Sequence, residues 1–282
     1  MSLELRTAVF HSLPQQLFAE NYSLEGLSQA VLKKVEDQTL DVIEDLEIVD
    51  QERIARHFVC STMIEMPFTS GAIDWQSLTK EFASSHSALP RSFVNAYECA
   101  SWGYSLRYYL NQSDNPLMLV TIVDANLLGL EFWQHNENWG DSGFGVCTLL
   151  LEAVGDSKDD VITGCATTYN STAEFATIVR RWSAKEPDCP LSLPFFPEHI
   201  RTVFDRMLAN SKRLPDKHDD YGHCFGSDPW LAIIDEGMKQ PAERNHSVLA
   251  CSIALNGYYC LAKINISPNT RFHFSRHEGN LI

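Results

Sequence analysis

Two periods of hydrophobic positions alternate along this 282-residue chain. The stretches "LRTAVFHSL", "ARHFVCSTMI" and "RSFVNAY" are short and rich in β-branched and aromatic residues, which predicts strands. "SLEGLSQAVLKKVEDQTLDVIEDL" spaces its leucines and valines by three and four residues, which predicts a helix. "PLMLVTIVDA" and "GFGVCTLLLEAV" are almost continuously apolar, a pattern typical of strands buried on both faces of a layered α/β protein.

The second half repeats this order of elements. "DVITGCATTY" predicts a strand, "SLPFFPEHIRTVFDRMLANSKRL" contains a predicted helix, and the turn in "DDYGHCFGSDPWLAIIDEGMKQ" opens another. "SVLACSIAL" and "YYCLAKINI" flank "NG", a strong hairpin signal. The polar residues 267–282 are predicted to form a loose tail. We therefore expect an α/β fold of two pseudo-symmetric halves, 1–155 and 156–282.

One cysteine stands at a chemically favourable place in this pattern. Cys99, in "NAYECASWGYSLRYYL", follows a predicted strand and opens a predicted helix. The free N–H groups of a helix N-terminus lower the pKa of a thiol, and the thiolate is the nucleophile. If the halves pack as partners, His223 of "YGHC" is equivalent to Cys99 and can accept its proton. The alternatives are a buried thiol, a turn histidine, and a Glu98 carboxylate that opposes the thiolate.

The amino-acid composition indicates which cellular compartment and which classes of partner to expect. The chain has 8 cysteines, none in a CxxC pair or at zinc-ligand spacing, so we expect no metal and a reducing, cytoplasmic compartment. The first residues lack the pattern of a signal peptide, and no apolar run approaches the roughly 18 residues of a membrane-spanning helix. The formal net charge of −15 disfavours nucleic acid as a partner.

The segment "GDSG" at 140–143 resembles the nucleophile segment of chymotrypsin-like serine proteases. Those enzymes need a histidine and an aspartate upstream in a two-barrel β fold. This chain has no upstream "AAHC"-type segment and too much predicted helix. We therefore predict that Ser142 belongs to a tight glycine turn and is not a nucleophile.

Four stretches together resemble the thiolase-fold condensing enzymes, in particular the 3-oxoacyl-acyl-carrier-protein synthase III group. "NAYECASWGYSL" is similar to the active-site strand, cysteine and helix of that family. "NWGDSGFGVCTLLLE" is similar to its "FGDGA-A-VL" turn, and "YGHCFGSDPWLAIIDEG" to its "GNTSAAS-P-ALDEA" segment. "SVLACSIALNGYYCLAKI" is similar to its closing hairpin. The four matches keep the family's order from about Val59 to Ile266.

This resemblance implies a thiolase-like layered fold and an acyltransferase in fatty-acid-like or polyketide biosynthesis. Cys99 would take an acyl group from coenzyme A or a phosphopantetheine-linked substrate, with no permanently bound cofactor. The backbone N–H groups of Cys99 and Gly257 would form the oxyanion hole. An acyl carrier protein and a second ketosynthase chain, as homodimer or heterodimer, are the implied partners. Four aromatic residues are candidates for an acyl tunnel or for the core: Trp102, Phe144, Phe195 and Phe196.

The chain also departs from the family pattern. His223 occupies the family's asparagine position, and no "PHQAN" segment supplies the family's histidine. Phe195 and Phe196 lie near its expected place, and His199 follows on a predicted solvated helix face. Six basic residues of the second half are a candidate carrier-protein docking patch or a solvated helix face: Arg180, Arg181, Arg201, Arg206, Lys212 and Arg213.

Two functions of different classes follow. In the first, Cys99 is acylated, His223 assists, and the acyl group passes to a carbon, oxygen or nitrogen nucleophile. In the second, the chain is a degenerate accessory subunit that completes an active ketosynthase partner. The retained cysteine and its nearby candidate base favour the enzyme.

Overall fold

A computed structural model describes residues 2–15, 23–44, 46–79, 92–112, 117–154 and 160–277 of the chain. The strands are β1 (Ser2–Leu13), β2 (Ile54–Cys60), β3 (Ser92–Val94), β4 (Leu117–Asp124), β5 (His135–Asn136), β6 (Gly140–Asp141), β7 (Phe144–Val154), β8 (Val161–Cys165), β9 (Leu191–Ser192), β10 (His246–Ile253), β11 (Tyr258–Ile266) and β12 (Arg271–Ser275). The helices are α1 (Leu24–Ile43), α2 (Ile48–Glu52), α3 (Trp75–Thr79), α4 (Ser101–Gln112), α5 (Glu131–Gln134), α6 (Ser171–Ser183), α7 (Glu198–Met207), α8 (His218–Tyr221) and α9 (Asp228–Lys239).

The strand order repeats between the two halves of the main sheet. In the first half β2 is parallel to β4, β4 is antiparallel to β7, and β7 is antiparallel to β1. In the second half β9 is parallel to β10, β10 is antiparallel to β11, and β11 is antiparallel to β8. The halves join where β1 runs parallel to β11, with Leu3 opposite Ile264. The fold is thus α/β with two equivalent sheet halves, as expected; the exact boundary at residue 155 stays a prediction.

Helices α4 and α9 are the central pair that this arrangement buries. Helix α4 contacts β2, β3 and β4 of the first half and β8 and β11 of the second. Helix α9 contacts β1 and β12 as well as β9 and β10. Trp102 and Trp230 meet edge to face with ring centroids 5.0 Å apart, and both are fully buried. Each helix therefore starts deep inside the molecule and not at its surface.

The hydrophobic pattern explains most of these elements. Helix α1 begins after Ser23, whose hydroxyl accepts the N–H of Gly26, and it buries Leu27, Val31 and Val35 on one face. All eight residues of β4 are buried, and so are the first eight of β7. The two predicted two-sided strands therefore lie in the interior of the sheet.

The prediction of a loose tail is wrong for Arg271–Ser275. These residues form β12, which pairs in parallel with β1 from Thr7 to His11. Phe274 stacks on Phe10 at 5.9 Å, so alternating aromatic side chains hold a segment that is otherwise polar. The sequence pattern also left out α6. The stretch "DWQSLTKEFASS" predicts a short helix, of which Trp75–Thr79 is helical, and residues 80–85 lie outside the described residues.

Candidate active site

A short 3₁₀ turn, Glu98–Ala100, delivers Cys99 to the start of α4. A similar turn, Phe225–Ser227, precedes α9, and the two turns contact each other. The first residue of each turn has a positive φ, 45° for Glu98 and 53° for Phe225. Such a conformation costs about 1–2 kcal/mol for a residue with a Cβ, so the surrounding packing must impose it.

A position-by-position comparison of the two turns does not make His223 the equivalent of Cys99. The counterpart of Cys99, the second residue of its turn, is Gly226 and not His223. A Cβ on Gly226 would lie 3.2 Å from the carbonyl oxygen of Cys99, so a glycine lets the two turns approach closely. His223 lies two residues before the second turn.

Cys99 and His223 nevertheless line one pocket, which we call the Cys99 pocket. Its volume is about 140 Å³. Its walls come from the loop after β2, the segments before α4 and α9, helix α5 with the β5–β6 turn, the start of α6, the segment that leads into α7, and the β10–β11 hairpin. The lining residues are Thr62, Glu98, Cys99, Trp133, Asn138, Trp139, Ser171, Thr172, Phe196, Ile200, His223, Phe225, Ile253, Ala254 and Leu255.

Burial dominates the chemistry of the Cys99 thiol. Only 6% of the residue is exposed, and burial raises the pKa of the Cys99 thiol well above its ordinary value. The hydroxyl of Thr62 donates to Cys99 Sγ at 3.6 Å and lowers that pKa, whereas the carboxylates of Asp124 and Glu98 raise it further. The expected lowering at a helix N-terminus is thus outweighed, and Cys99 needs a base to remove its proton.

His223 has the surroundings of such a base. Its Nδ1 lies 2.6 Å from Asp228 Oδ2 and 2.8 Å from the carbonyl oxygen of Phe195. Both neighbours are acceptors, so Nδ1 carries the hydrogen and Nε2 is the nitrogen left for the pocket. Burial lowers the pKa of His223, but Asp228 overcomes this and the net shift is upward. Among the described residues no hydrogen bond joins His223 to Cys99, whose thiol accepts from Thr62.

Asp228 is the first residue of α9 and is completely buried. Besides the His223 ring it accepts the N–H of Phe195 at 2.9 Å and the N–H of Cys224 at 2.5 Å. Burial raises the pKa of the Asp228 carboxyl, and these donors oppose that shift. The carboxylate therefore fixes both the imidazole and the two backbone segments that flank it.

The glycine turn at 140–143 also holds His223 in place. The N–H of His223 donates to the carbonyl of Asp141 at 2.7 Å, and the N–H of Gly143 donates to the carbonyl of His223 at 2.9 Å. A Cβ on Gly143 would lie 2.2 Å from the carbonyl oxygen of Tyr221, so a side chain cannot fit there. Ser142 is buried and its hydroxyl accepts the Trp139 Nε1–H at 2.8 Å, as a structural residue of the turn.

Asp124 places a second buried carboxyl near the thiol. It ends β4, and its Oδ1 accepts the N–H of Thr62 at 2.7 Å and the hydroxyl of Ser61 at 3.2 Å. Its Oδ2 is buried without a hydrogen-bond partner among the described residues. Burial raises the pKa of Asp124 to about 7. Asp124 thus anchors the Thr62 backbone, and Thr62 in turn contacts Cys99.

Gly257, the predicted oxyanion-hole residue, lies in the turn between β10 and β11. Its N–H donates to the carbonyl of Ala254 inside the β10–β11 turn, and it is not among the residues that line the pocket. Leu255 lines the pocket instead, and its N–H donates to Glu98 Oε2 at 3.0 Å. That N–H is therefore already bonded, and the place of Gly257 in an oxyanion hole stays a prediction.

Only one of the four predicted tunnel residues lines the pocket. Phe196 does so and stacks on the His223 ring at 5.8 Å. Trp102, Phe144 and Phe195 are at most 2% exposed and pack in the core. Trp102 lies against Trp230 and donates its Nε1–H to Ser252, while Phe195 serves the site through its backbone.

The candidate docking patch is partly neutralised. Arg201, Lys212 and Arg213 form ion pairs with aspartates. Arg180, Arg181 and Arg206 are exposed near the ends of α6 and α7. His199 is exposed on α7, as predicted, and does not line the Cys99 pocket.

Sequence reasoning missed Thr62, Asp124 and Asp228. Asp228 stands directly before a proline at the start of a helix, a pattern that indicates a helix start and gives no hint of a histidine partner. Asp124 ends an otherwise apolar strand, which was a detectable signal because charged residues are seldom fully buried without a role. Among the described residues, no group of three or more His, Cys, Asp or Glu side chains is arranged to hold a metal ion. In that part of the chain no helix is long and apolar enough to cross a membrane.

The repeated strand order, the two central helices and the cysteine at the start of the first one define a thiolase-like fold. No protein-family model and no curated protein matches the chain. A 3-oxoacyl-(acyl-carrier protein) synthase from Burkholderia xenovorans LB400 is similar in structure, with a TM-score of 0.62, 11% identity and 97% of each chain covered. The chain thus has the fold of the condensing enzymes that the sequence resembles.

Two further solved structures support the same fold. The HMG synthase of the curacin biosynthetic pathway, in complex with an acetyl donor acyl carrier protein, aligns with a TM-score of 0.62 and 12% identity over 95% of this chain and 81% of that one. ChlB3, described as an acyltransferase, aligns with a TM-score of 0.63 and 11% identity over 89% and 87% of the two chains. At these identities the similarity shows the fold alone.

Proposed function

We propose that this protein is an acyltransferase that carries an acyl group as a thioester on Cys99. The observation that supports this most directly is that Cys99 and a histidine held by a buried aspartate line the same pocket. A nucleophile, a base and a group that orients the base are the three parts that covalent acyl transfer requires. The other described cysteines lack this combination.

The first half-reaction exchanges one thioester for another. His223 Nε2 takes the proton of the Cys99 thiol, and the sulfur attacks the carbonyl carbon of the acyl donor. The bond between that carbon and the donor sulfur breaks, and the imidazolium returns the proton to the donor thiolate. Asp228 stabilises the transient imidazolium because its carboxylate lies 2.6 Å from Nδ1. Backbone N–H groups near Cys99 would hold the oxyanion.

The resemblance and the fold support the proposed class of acyl donor. Acyl-coenzyme A or an acyl group on a phosphopantetheine-bearing carrier protein would supply the thioester, in fatty-acid-like or polyketide biosynthesis. The exposed Arg180, Arg181 and Arg206 are suited to an acidic carrier protein, since their charges are free to attract it. Dimer formation with a second ketosynthase-like chain and a cytoplasmic location stay predictions.

Intact-mass spectrometry tests this function. We expect incubation with acyl-coenzyme A or an acyl carrier protein to add the mass of one acyl group to the wild-type protein. Cys99→Ala should show no adduct, whereas Cys260→Ala, which removes another buried thiol, should keep it. Absence of an adduct on the wild type, or one that survives Cys99→Ala, would contradict the proposal.

A degenerate accessory subunit is the second candidate. It is favoured by the deep burial of Cys99 and by Phe196 standing near the place of the family's histidine. In that case a partner ketosynthase should co-purify with the chain from its native host. The partner's activity should require this chain and tolerate Cys99→Ala, while the isolated chain should form no acyl adduct.

A further inference from the structure

We propose that Glu98 selects a primary amine as the acyl acceptor and takes the proton that the amine loses. This inference rests on the proposed acyl-Cys99 intermediate and names the substrate class of its second half-reaction. It arises from the side chains that share the Cys99 pocket.

The structure fixes the Glu98 carboxylate inside the pocket. The residue has a φ of 45° and directly precedes the nucleophile. Its carboxylate accepts the N–H of Leu255, which lies 157 residues further along the chain. Burial nevertheless raises the pKa of Glu98, so its carboxylate is a stronger base than an exposed glutamate.

The pocket has the composition of a site for a cation. Trp133 and Trp139 line it with their rings 5.8 Å apart and nearly parallel. An ammonium group is attracted to the face of an indole ring, and more strongly where water is excluded. The Glu98 carboxylate supplies the negative charge, and no lysine or arginine is present among the described residues that line the pocket.

The same features disfavour a malonyl group. The free carboxylate of a malonyl thioester would meet Glu98 in the pocket and two further buried carboxyls, Asp124 and Asp228, close to Cys99. The N–H of Leu255 is already used by Glu98. Among the described lining residues, decarboxylative condensation therefore finds no lysine or arginine for its extender unit, and the His223 imidazole is paired with Asp228.

The proposed step balances as follows. The bound ammonium group first releases one proton to water. The neutral amine nitrogen then attacks the carbonyl carbon of acyl-Cys99, a C–N bond forms, and the C–S bond to Cys99 breaks. The proton lost by nitrogen goes to the Glu98 carboxylate, and Cys99 leaves as a thiolate. Glu98 then returns the proton to that thiolate, which restores both groups and releases an amide. No oxidant, reductant or metal takes part.

The test separates the two half-reactions. Cys99 is first acylated with hexanoyl-coenzyme A, and the adduct is measured by intact mass. Butylamine, butanol or malonyl-coenzyme A is then added, and loss of the adduct and the mass of the product are followed. We expect butylamine to discharge the wild-type adduct at least tenfold faster than butanol or malonyl-coenzyme A. Glu98→Gln should slow the amine step about 100-fold while acylation changes less than threefold.

Glu137→Gln is the matched control, because it removes one negative charge from an exposed residue beside the pocket residue Asn138. It should leave both half-reactions unchanged. Faster discharge by butanol or malonyl-coenzyme A, or an amine rate that Glu98→Gln leaves intact, would overturn the inference alone. If Glu98→Gln fails to fold, the acceptor preference of the wild type decides. Failure to acylate the wild type would overturn the proposed function and this inference with it.

Discussion

The turn before α4 and the turn before α9 have the same backbone and different chemistry. Both are three-residue 3₁₀ turns that begin at a residue with positive φ and lead into a buried helix. The first presents the Cys99 thiol to the pocket. The second has Gly226 at that position and contributes Asp228 two residues later, at the first residue of its helix. Under the proposed function, one repeat of the fold carries the nucleophile, and the other orients its base.

This difference also explains why the two turns are not interchangeable. Gly226 allows the second turn to approach the carbonyl of Cys99, so a side chain there would separate the halves. Ser101 stands at the helix position that Asp228 occupies in the other half, and its hydroxyl is buried without a hydrogen-bond partner among the described residues. Equivalent positions have therefore diverged into complementary roles.

The largest expected effect is at the nucleophile. Cys99→Ala should abolish the acyl adduct, because no other described thiol shares the pocket with a histidine. Cys224→Ala, which removes the thiol next to the second turn, should retain at least half of the acylation rate. Intact mass against time measures both. An equal amount of adduct on both variants would show that Cys99 is no more reactive toward the acyl donor than Cys224.

The second-largest effect is expected at Asp228, which orients the proposed base His223. Asp228→Asn should lower the acylation rate by about 100-fold or more. Without the carboxylate, the His223 imidazole can adopt the tautomer with its hydrogen on Nε2, which cannot accept the thiol proton. The new amide also places donors near the N–H groups of Phe195 and Cys224. Ser101→Ala, at the equivalent position of the first half, should act like wild type. Equal rates for the two variants would show that Asp228 does not orient His223.

The dependence of the acylation rate on pH is expected to be a smaller effect, and one that varies continuously. His223 must be neutral to accept a proton, and Asp228 raises the pKa of His223 above its ordinary value near 6.5. The acylation rate should therefore rise with pH, by about tenfold per unit below the His223 pKa, and level off above it. The residue at the same distance before the first turn is Ala96, which does not titrate. A His223→Gln variant with the same pH dependence would contradict this assignment.

The smallest effect on acylation is expected at Asp124, which ends β4, whereas the equivalent strand β10 ends at Ile253. Asp124→Asn keeps the Oδ1 acceptor and removes a charge that raises the pKa of Cys99, so acylation should become a few-fold faster. The folded-state pKa of about 7 lies above the ordinary value of 3.8. Ionisation of Asp124 therefore costs stability progressively as pH rises from about 4 to above 7.

Urea unfolding measures this cost. Asp124→Asn should increase the free energy of unfolding at pH 8 by up to about 4 kcal/mol, and by less at pH 5, where the folded wild type keeps the proton. Val120→Ala, a change at a buried apolar residue of the same strand, should lower the free energy of unfolding by about the same amount at both pH values. A gain from Asp124→Asn that is equal at both pH values would contradict the raised pKa.

The elements of the fold could be predicted well where one pattern extended over many residues. The helical spacing of α1 and the apolar runs of β4 and β7 are patterns among neighbouring residues along the chain. These elements can therefore be predicted from the sequence alone. Strand β12 could not be predicted in this way. Its polar residues are held by pairing with β1, more than 260 residues earlier, and by the stack of Phe274 on Phe10.

By itself the sequence determined that the protein is α/β, that its second half repeats the element order of its first, and that Cys99 opens a helix. These properties are local periodicities and junctions. The tertiary structure alone decided the partners of the thiol: Thr62 at its sulfur, Asp228 behind His223, and Glu98 on the hairpin at Leu255. Such contacts join segments that only the folded sheet brings together. Burial then raises the pKa of the Cys99 thiol and of the Glu98 and Asp228 carboxyls, whereas Asp228 outweighs burial and raises the pKa of His223.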